Sequence, residues 1–342
     1  MNYPIKSIAN ILHITNDAAM VKNLAASFPG NDFLAWEDAL YEGPINTEMD
    51  LAQLSDMRAN FFSERGGLAR EEIRQRYQTR NTQLLAYQEY AEVVLWFDKD
   101  LNSQLQLIQL IEWFSRQKMA NTILSLISFE TMAKEPAYFG LAMLTSHQLQ
   151  TLMSKRWEVT WGQMSLCQQA WHALGSENPN ALVRLCDVNT AMMPYMKNAI
   201  LRFLRQFPSQ ANGLSHSEFL ISHALLRQQH ELNDVYLVMQ AKEGTPFVNQ
   251  AIYCSYLQNM CSGELPMIEQ QSIDNEDLLE DEVVVELKMM LKLTDLGRQV
   301  LHNWVDWVQV RGINRWLGGA QLSEGNLWRY DQTRRRLIKT YV

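Results

Sequence analysis

Residues 92–117, EVVLWFDKDLNSQLQLIQLIEWFSRQ, decide the fold class of this chain. Glu92 to Phe97 is a short unbroken apolar run, rich in β-branched and aromatic side chains, as in a strand covered on both faces. Asp98-Lys99-Asp100 ends it. Leu101 to Gln117 then stays apolar over a length that only a helix fits, with Asp100 in position to cap it. A strand feeding a helix through a short acidic turn is half of a parallel βαβ unit.

The same alternation runs outward in both directions. Asn10 to Thr15 (NILHIT) reads as a buried strand, Asn16 or Asp17 as a cap, and Ala18 to Phe28 as an amphipathic helix. Pro29 to Asp32 is a turn before a second strand, Phe33 to Trp36, which ends at Glu37-Asp38. A loop with a Gly-Pro break follows, Leu40 to Pro44. Asp50 to Tyr90 is helical and charged, interrupted at Gly66-Gly67, and Glu64 to Arg80 reads as a solvated helix face. Ile123 to Ile127 is a fourth strand, ending at Ser128-Phe129-Glu130. Strands alternating with helices imply parallel pairing and right-handed crossovers, a Rossmann-like or flavodoxin-like domain over 1–130.

Residues 131–207 read as a helical linker region, with helices opening near Thr145, Thr160, Asn178 and Met192. Residues 208–303 read as a winged-helix-like α+β domain. Ser215 stands three residues before Glu218 in capping-box spacing. Helices follow at Ser217 to Gln229, Asn233 to Lys242 and Pro246 to Cys261, then strands at Met267 to Ile273 and Val283 to Leu293 around an acidic loop. Thr294 opens a further helix. Residues 304–342, with Trp304, Trp307, Trp316, Trp328 and Gly318-Gly319, read as short strands or loops that pack back on the body.

The chain has 342 residues, 47% hydrophobic and 20% charged, which is the composition of a folded globular protein. A net charge of −8 disfavours general binding to nucleic acid or anionic membrane. No uninterrupted apolar stretch is long enough for a membrane span, and the first residues lack a secretion pattern. Four cysteines, none in C-x-x-C spacing, suit reduced thiols and a cytoplasmic location. Their expected role is that of small buried hydrophobes.

Several of these segments together resemble one bacterial family of uncharacterised proteins, the domain-of-unknown-function 1835 family. The matching pieces are L-H-I-T-N at Leu12 to Asn16, W-x-D-x-L-x-E-G-P from Trp36 to Pro44, and V-V-L-W-F-x-x-D-L-x-x-Q-L-Q-L from Val93 to Leu107. R-W-L-G-G at Arg315 to Gly319 and W-R-Y-D at Trp328 to Asp331 resemble the family's ending. Where the family often carries N-G-D after the first strand, Asn16 here is followed directly by Asp17, without the glycine that lets a backbone approach a ligand. The resemblance implies membership and no reaction.

Open parallel sheets bind ligands outside the carboxyl ends of their strands. Asn16 and Asp17, then Asp38, Glu42 and Gly43, then Asp98, Asp100 and Gln104, and finally Ser128 and Glu130 are expected there. Carboxylates of this kind suit Mg²⁺, with Asp98 and Asp100 as its ligands beside a substrate phosphate. The same groups also suit metal-free binding of a polar molecule, with Asp38 or Glu42 accepting from hydroxyls. Asp17 and Asp100 are equally placed to be helix caps, and Asp38 with Glu42-Gly43-Pro44 to be a structured turn. His13 reads as a buried histidine that could move protons if it faced the site. Arg58 is placed to reach an anion or to lie on the surface. Neither a Gly-rich phosphate loop nor a G-x-S-x-G elbow occurs.

Charge separates the later segments. Residues 205–298 hold six Lys or Arg against fourteen Asp or Glu, and the expected third helix holds no Lys or Arg, so DNA is a disfavoured partner. Residues 311–342 hold seven basic against two acidic residues. Arg315 and Arg329, set among Trp and Gly, are expected to pair with the acidic strand ends or hold an anion there. Two functions stay open at this point. One is binding or hydrolysis of a phosphorylated or otherwise polar small molecule at the strand ends. The other is a regulatory adaptor whose winged-helix-like domain contacts protein or DNA, with self-association as one form of the protein contact.

Overall fold

The structure is a computed structural model that describes residues 10–65, 68–127, 140–273 and 288–340. The expected strand-end groups Ser128 and Glu130, the Gly66-Gly67 break and the acidic loop before Lys288 lie outside the described residues. The chain divides into two compact units. The first holds residues 1–202 with Trp316–Ala320, and the second holds Phe203–Arg315 with 321–342. Most of the segment expected as a separate helical linker therefore belongs to the unit that carries the sheet.

In chain order the first unit contains β1 (Ile11–Thr15), α1 (Ala18–Ser27), β2 (Asp32–Ala35), the two-residue β3 (Gly43–Pro44), α2 (Leu51–Ser63), α3 (Arg70–Leu85), β4 (Glu92–Trp96), α4 (Leu101–Ser115), β5 (Ile123–Ile127), α5 (Ser146–Met153), β6 (Trp157–Glu158), α6 (Trp161–Leu174), α7 (Asn180–Leu185) and α8 (Met196–Leu204), within which the division falls. The result is a mixed α/β unit around a five-stranded, mostly parallel sheet in the order β2-β1-β4-β5-β6. β1 pairs in parallel with β2 and β4, and β4 with β5. β6 closes one edge antiparallel to β5, a short strand that hydrophobic periodicity did not announce.

Apolar continuity explains the central strands. All five residues of β4 are buried, as helices on both faces require. Met20 and Leu24 of α1 and Leu149 of α5 cover one face, against Val94, Trp96 and Ile127. α4 is buried along nearly its whole length. The charged run Glu64 to Arg80, expected to be solvated, has a buried side instead: Ile73, Tyr77 and Arg80 of α3 are buried, followed beyond the run by Asn81 and Leu84.

The second unit contains α9 (His216–Ala224), β7 (His230–Glu231), α10 (Leu232–Lys242), α11 (Gln250–Cys261), β8 (Ile268–Ile273), β9 (Lys288–Leu293), α12 (Asp295–Leu301) and α13 (Trp307–Arg311). The tail forms β10 (Arg315–Gly318), β11 (Ala320–Leu322), β12 (Leu327–Asp331) and β13 (Arg336–Thr340). β7, β9 and β8 make an antiparallel sheet in that order, and β12 with β13 makes a hairpin. The Ser215–Glu218 capping box forms as its spacing implies. All four cysteines are free thiols; Cys167 and Cys186 are buried, whereas Cys254 is exposed rather than inside. Among the described residues, no helix is long and apolar enough to cross a membrane.

Candidate functional site at the carboxyl ends of the sheet

The sheet order changes direction at β1, whose neighbours are β2 on one side and β4 on the other, and the crevice at such a reversal is where ligands enter open α/β sheets. Asp17, Asp98 and Asp100 follow β1 and β4 there. Asp17 caps α1, accepting from the Met20 amide at 2.7 Å. Asp100 caps α4, accepting from the Ser103 amide at 3.0 Å. Both caps are the ordinary helix-start use of an acidic residue. Asp98 is different. It is buried, and both its oxygens face one backbone amide, that of Leu141, at 3.1 and 3.0 Å. Burial, reinforced by Asp100 and Asp17, raises its carboxyl to about 7, against the partial relief of the Leu141 amide. Burial also raises the Asp100 carboxyl. Gln104 donates to the Asp98 carbonyl at 2.7 Å and so fixes the turn. Asn16 lies beside Thr15, whose hydroxyl donates to it at 3.3 Å.

Asp38, Glu42 and Arg58 belong to a separate assembly. Arg58, fully buried on α2, reaches Asp38 through Nε at 2.9 Å to both oxygens and through Nη2 at 2.6 Å. The same guanidinium donates to the carbonyls of Pro44 (3.0 Å), Ala39 (3.0 Å) and Glu42 (3.2 Å). Tyr77 donates to Asp38 at 3.2 Å. Arg80 lies 3.9 Å from the same carboxylate and stacks 3.9 Å over Trp36. Burial opposes the charge on Arg58, yet Asp38 and Tyr77 hold its pKa above the ordinary arginine value. Burial dominates at Arg80, whose pKa is lowered. Arg58 is therefore neither a surface residue nor an open anion hook: its donors are spent on one carboxylate and three carbonyls of the loop after β2.

α4 reaches the same loop. Gln106 donates to the Asp38 carbonyl at 2.7 Å, and Gln109 accepts from the Trp36 indole at 2.8 Å. Sequence reading passed over Tyr77, Arg80, Gln106 and Gln109. The signal available for them was polar residues at helical spacing inside otherwise apolar surroundings, since buried amides require partners.

His13 is core. Its ring lies between Phe28 and Phe33, with centroids at 5.1 and 5.3 Å. Nδ1 accepts from the Trp96 indole at 2.9 Å, and Nε2 lies 3.2 Å from Asn31 Nδ2. Burial pushes the imidazole down to about 4, with Glu92 opposing and Arg156 assisting. A ring so engaged carries no proton to a ligand near neutral pH.

The two tail arginines have partners in the second unit. Arg329 makes a two-pronged pair with Asp306, at 2.6 and 3.0 Å. Arg315 lies 3.8 Å from Glu218 and 3.3 Å from the Tyr256 hydroxyl.

Mg²⁺ fits the strand-end groups poorly. Asp17 and Asp100 are committed to caps and Asp98 to an amide, and no group of three or more potential ligands converges among the described residues.

Asp98 makes stability depend on pH. Its folded pKa lies above the unfolded value, so the native state holds more protons between about pH 4 and pH 7. Stability should fall as pH rises through that window, by on the order of 3–4 kcal/mol for a shift of this size. Asp98→Asn keeps an acceptor for Leu141 and removes the titration. Urea midpoints at pH 5 and pH 8 should show the variant gaining on the wild type at the higher pH. An equal difference at both values would show that Asp98 does not titrate in this range.

In comparisons with known proteins, no family model matches the chain and no curated protein matches it significantly.

Proposed function

We propose that this chain binds a polar small molecule at the carboxyl ends of β1 and β4, through a hydroxyl or amino group that meets Asp98. The carrying observation is the placement of Asp98, a buried carboxyl at the reversal of sheet order with two further acids around it. A carboxyl that titrates near neutrality donates when protonated and accepts when ionised, so it can hold or move a proton on a ligand. Three acids without a metal repel phosphate, which favours a neutral or cationic ligand over a phosphorylated one. The strand order β2-β1-β4-β5 supports a flavodoxin-like reading of the sheet, and the segment resemblances support membership of the domain-of-unknown-function 1835 family. Free cysteines support a cytoplasmic location.

Thermal-shift screening of amino, hydroxyl and phosphorylated metabolites tests the reading. A true ligand at saturating concentration should raise the midpoint of the wild type, by a few kcal/mol of linkage at about 100 times Kd. Asp98→Asn should lose that rise. A rise of equal size in both proteins would place the ligand elsewhere.

A second reading rests on the second unit. The order α9, β7, α10, α11, β8, β9, with β7 and β8 flanking β9, supports a winged-helix-like domain and an adaptor role. The acid excess and the lack of Lys or Arg on α11 favour a protein partner over DNA. A salt-sensitive gel shift with duplex DNA would reverse that preference.

A further inference from the structure

We propose that the first unit carries a second binding site, in a cleft of about 1350 Å³, for a neutral polyhydroxylated ring such as a sugar. The volume exceeds the roughly 300–1,000 Å³ of a site for one drug-sized molecule, so more than one ring can be held. One wall is the loop after β3, including Asn46 and Thr47. α6 and its end also line the cleft, including Gln168, Gln169 and Ser176. These side chains both donate and accept, as hydroxyl groups do.

Three further observations narrow the class. Asn60 also lines the cleft, and its carboxamide adds one more group of the kind that both donates and accepts. Trp316 is half-buried at the cleft, and an indole face suits the C–H face of a sugar ring. The charged lining is acidic: Glu48, Glu64 and Glu177 against Arg184, with Glu112 paired to Arg116. That balance repels phosphates and carboxylates.

The wall is also held in place. Arg58 fixes the Pro44 carbonyl from below, and Gly43–Pro44 pairs in parallel with Leu317 and Gly318. Ile45 then donates to the Gly318 carbonyl at 3.0 Å, and Gly319 donates to Leu174 at 2.8 Å. Moving the loop would break the buried Asp38–Arg58 pair and strand a charge, so the pair holds the loop to one position. A wall fixed in advance lowers the ordering cost of binding.

Saturation-transfer NMR on the full chain tests the site, with neutral disaccharides and nucleosides run beside their phosphorylated counterparts. Neutral ligands should bind saturably. Trp316→Leu should weaken them about tenfold and Gln169→Ala, at an exposed position, about three- to tenfold. Asp98→Asn should leave them unchanged, which separates this cleft from the strand-end reading. Disaccharide binding alone would identify free sugars, and nucleoside binding alone a sugar within a larger ligand; either supports the class. The proposal is overturned by no saturable binding at about 10 mM, by phosphorylated ligands binding as tightly as neutral ones, by binding indifferent to both cleft variants, or by loss of binding in Asp98→Asn.

Discussion

Arg58→Ala is expected to cost the first unit about 3–5 kcal/mol, the range for removing one partner of a buried ion pair. The loss has two parts. Asp38 loses its main partner in a site where its side chain is 2% exposed, with Tyr77 as a remaining donor and Arg80 at 3.9 Å. Three loop carbonyls also lose the guanidinium as a donor, of which Ala39 keeps the Glu42 amide at 3.0 Å. Arg58→Lys should recover only part of the loss, because an ammonium cannot span both carboxylate oxygens and the carbonyls as a planar fork does.

The network predicts an asymmetry between its members. In Arg58→Ala, Arg80 can close its 3.9 Å gap and neutralise Asp38. In Asp38→Asn, two buried guanidiniums face each other with no carboxylate between them. The Asp38 variant should therefore be the less stable of the two. The double variant Arg58→Met with Asp38→Asn should cost less than the sum of the single changes, since neither charge of the pair is stranded. Urea unfolding followed by tryptophan fluorescence measures all of these. An Arg58→Ala variant within about 1 kcal/mol of wild type would mean that water already reaches the pair.

This network also shows where sequence reading reached and where it stopped. β5 was legible residue for residue and β4 to within one, because a strand buried on both faces is an unbroken apolar run. The Asp17 and Asp100 caps were legible as one of two readings, since capping is decided within four residues of chain. The division of the expected cluster was not. Asp38 and Asp98 each follow a parallel strand, so sheet topology alone puts them in one crevice. What separates them is Arg58, 20 residues beyond Asp38 on a helix whose inward face is set by tertiary packing. His13 was ambiguous for the same reason: its burial follows from Phe28, Phe33 and Trp96, none of them adjacent to it in the chain. Two-residue strands such as β3 and β6 carry no periodicity to read.

Gly319→Ala should be far more damaging than Gly325→Ala, and its reason is space. A Cβ at residue 319 would stand 2.0 Å from the Gly175 carbonyl oxygen, 2.2 Å from that carbonyl carbon and 2.7 Å from the Ser176 carbonyl carbon. All three are backbone atoms, so no side chain can rotate aside. Gly175 cannot retreat freely either, because its own Cβ position is 2.5 Å from Thr47 Cγ2. The strand must lift from the end of α6, breaking the Gly319–Leu174 bond and straining the Ile45–Gly318 bond. Overpacking usually costs about 1–3 kcal/mol, and a backbone-on-backbone clash with two hydrogen bonds at stake belongs at or above the upper end. Gly325→Ala is the control: its φ is +79° with nothing within 4 Å of the added carbon, so only the conformational penalty of about 1 kcal/mol applies. Equal urea midpoints for the two variants would refute the close approach of Gly319 to Gly175. A larger loss in Gly319→Ala, accompanied by weaker sugar binding in the adjoining cleft, would tie the two-glycine turn to the wall it holds.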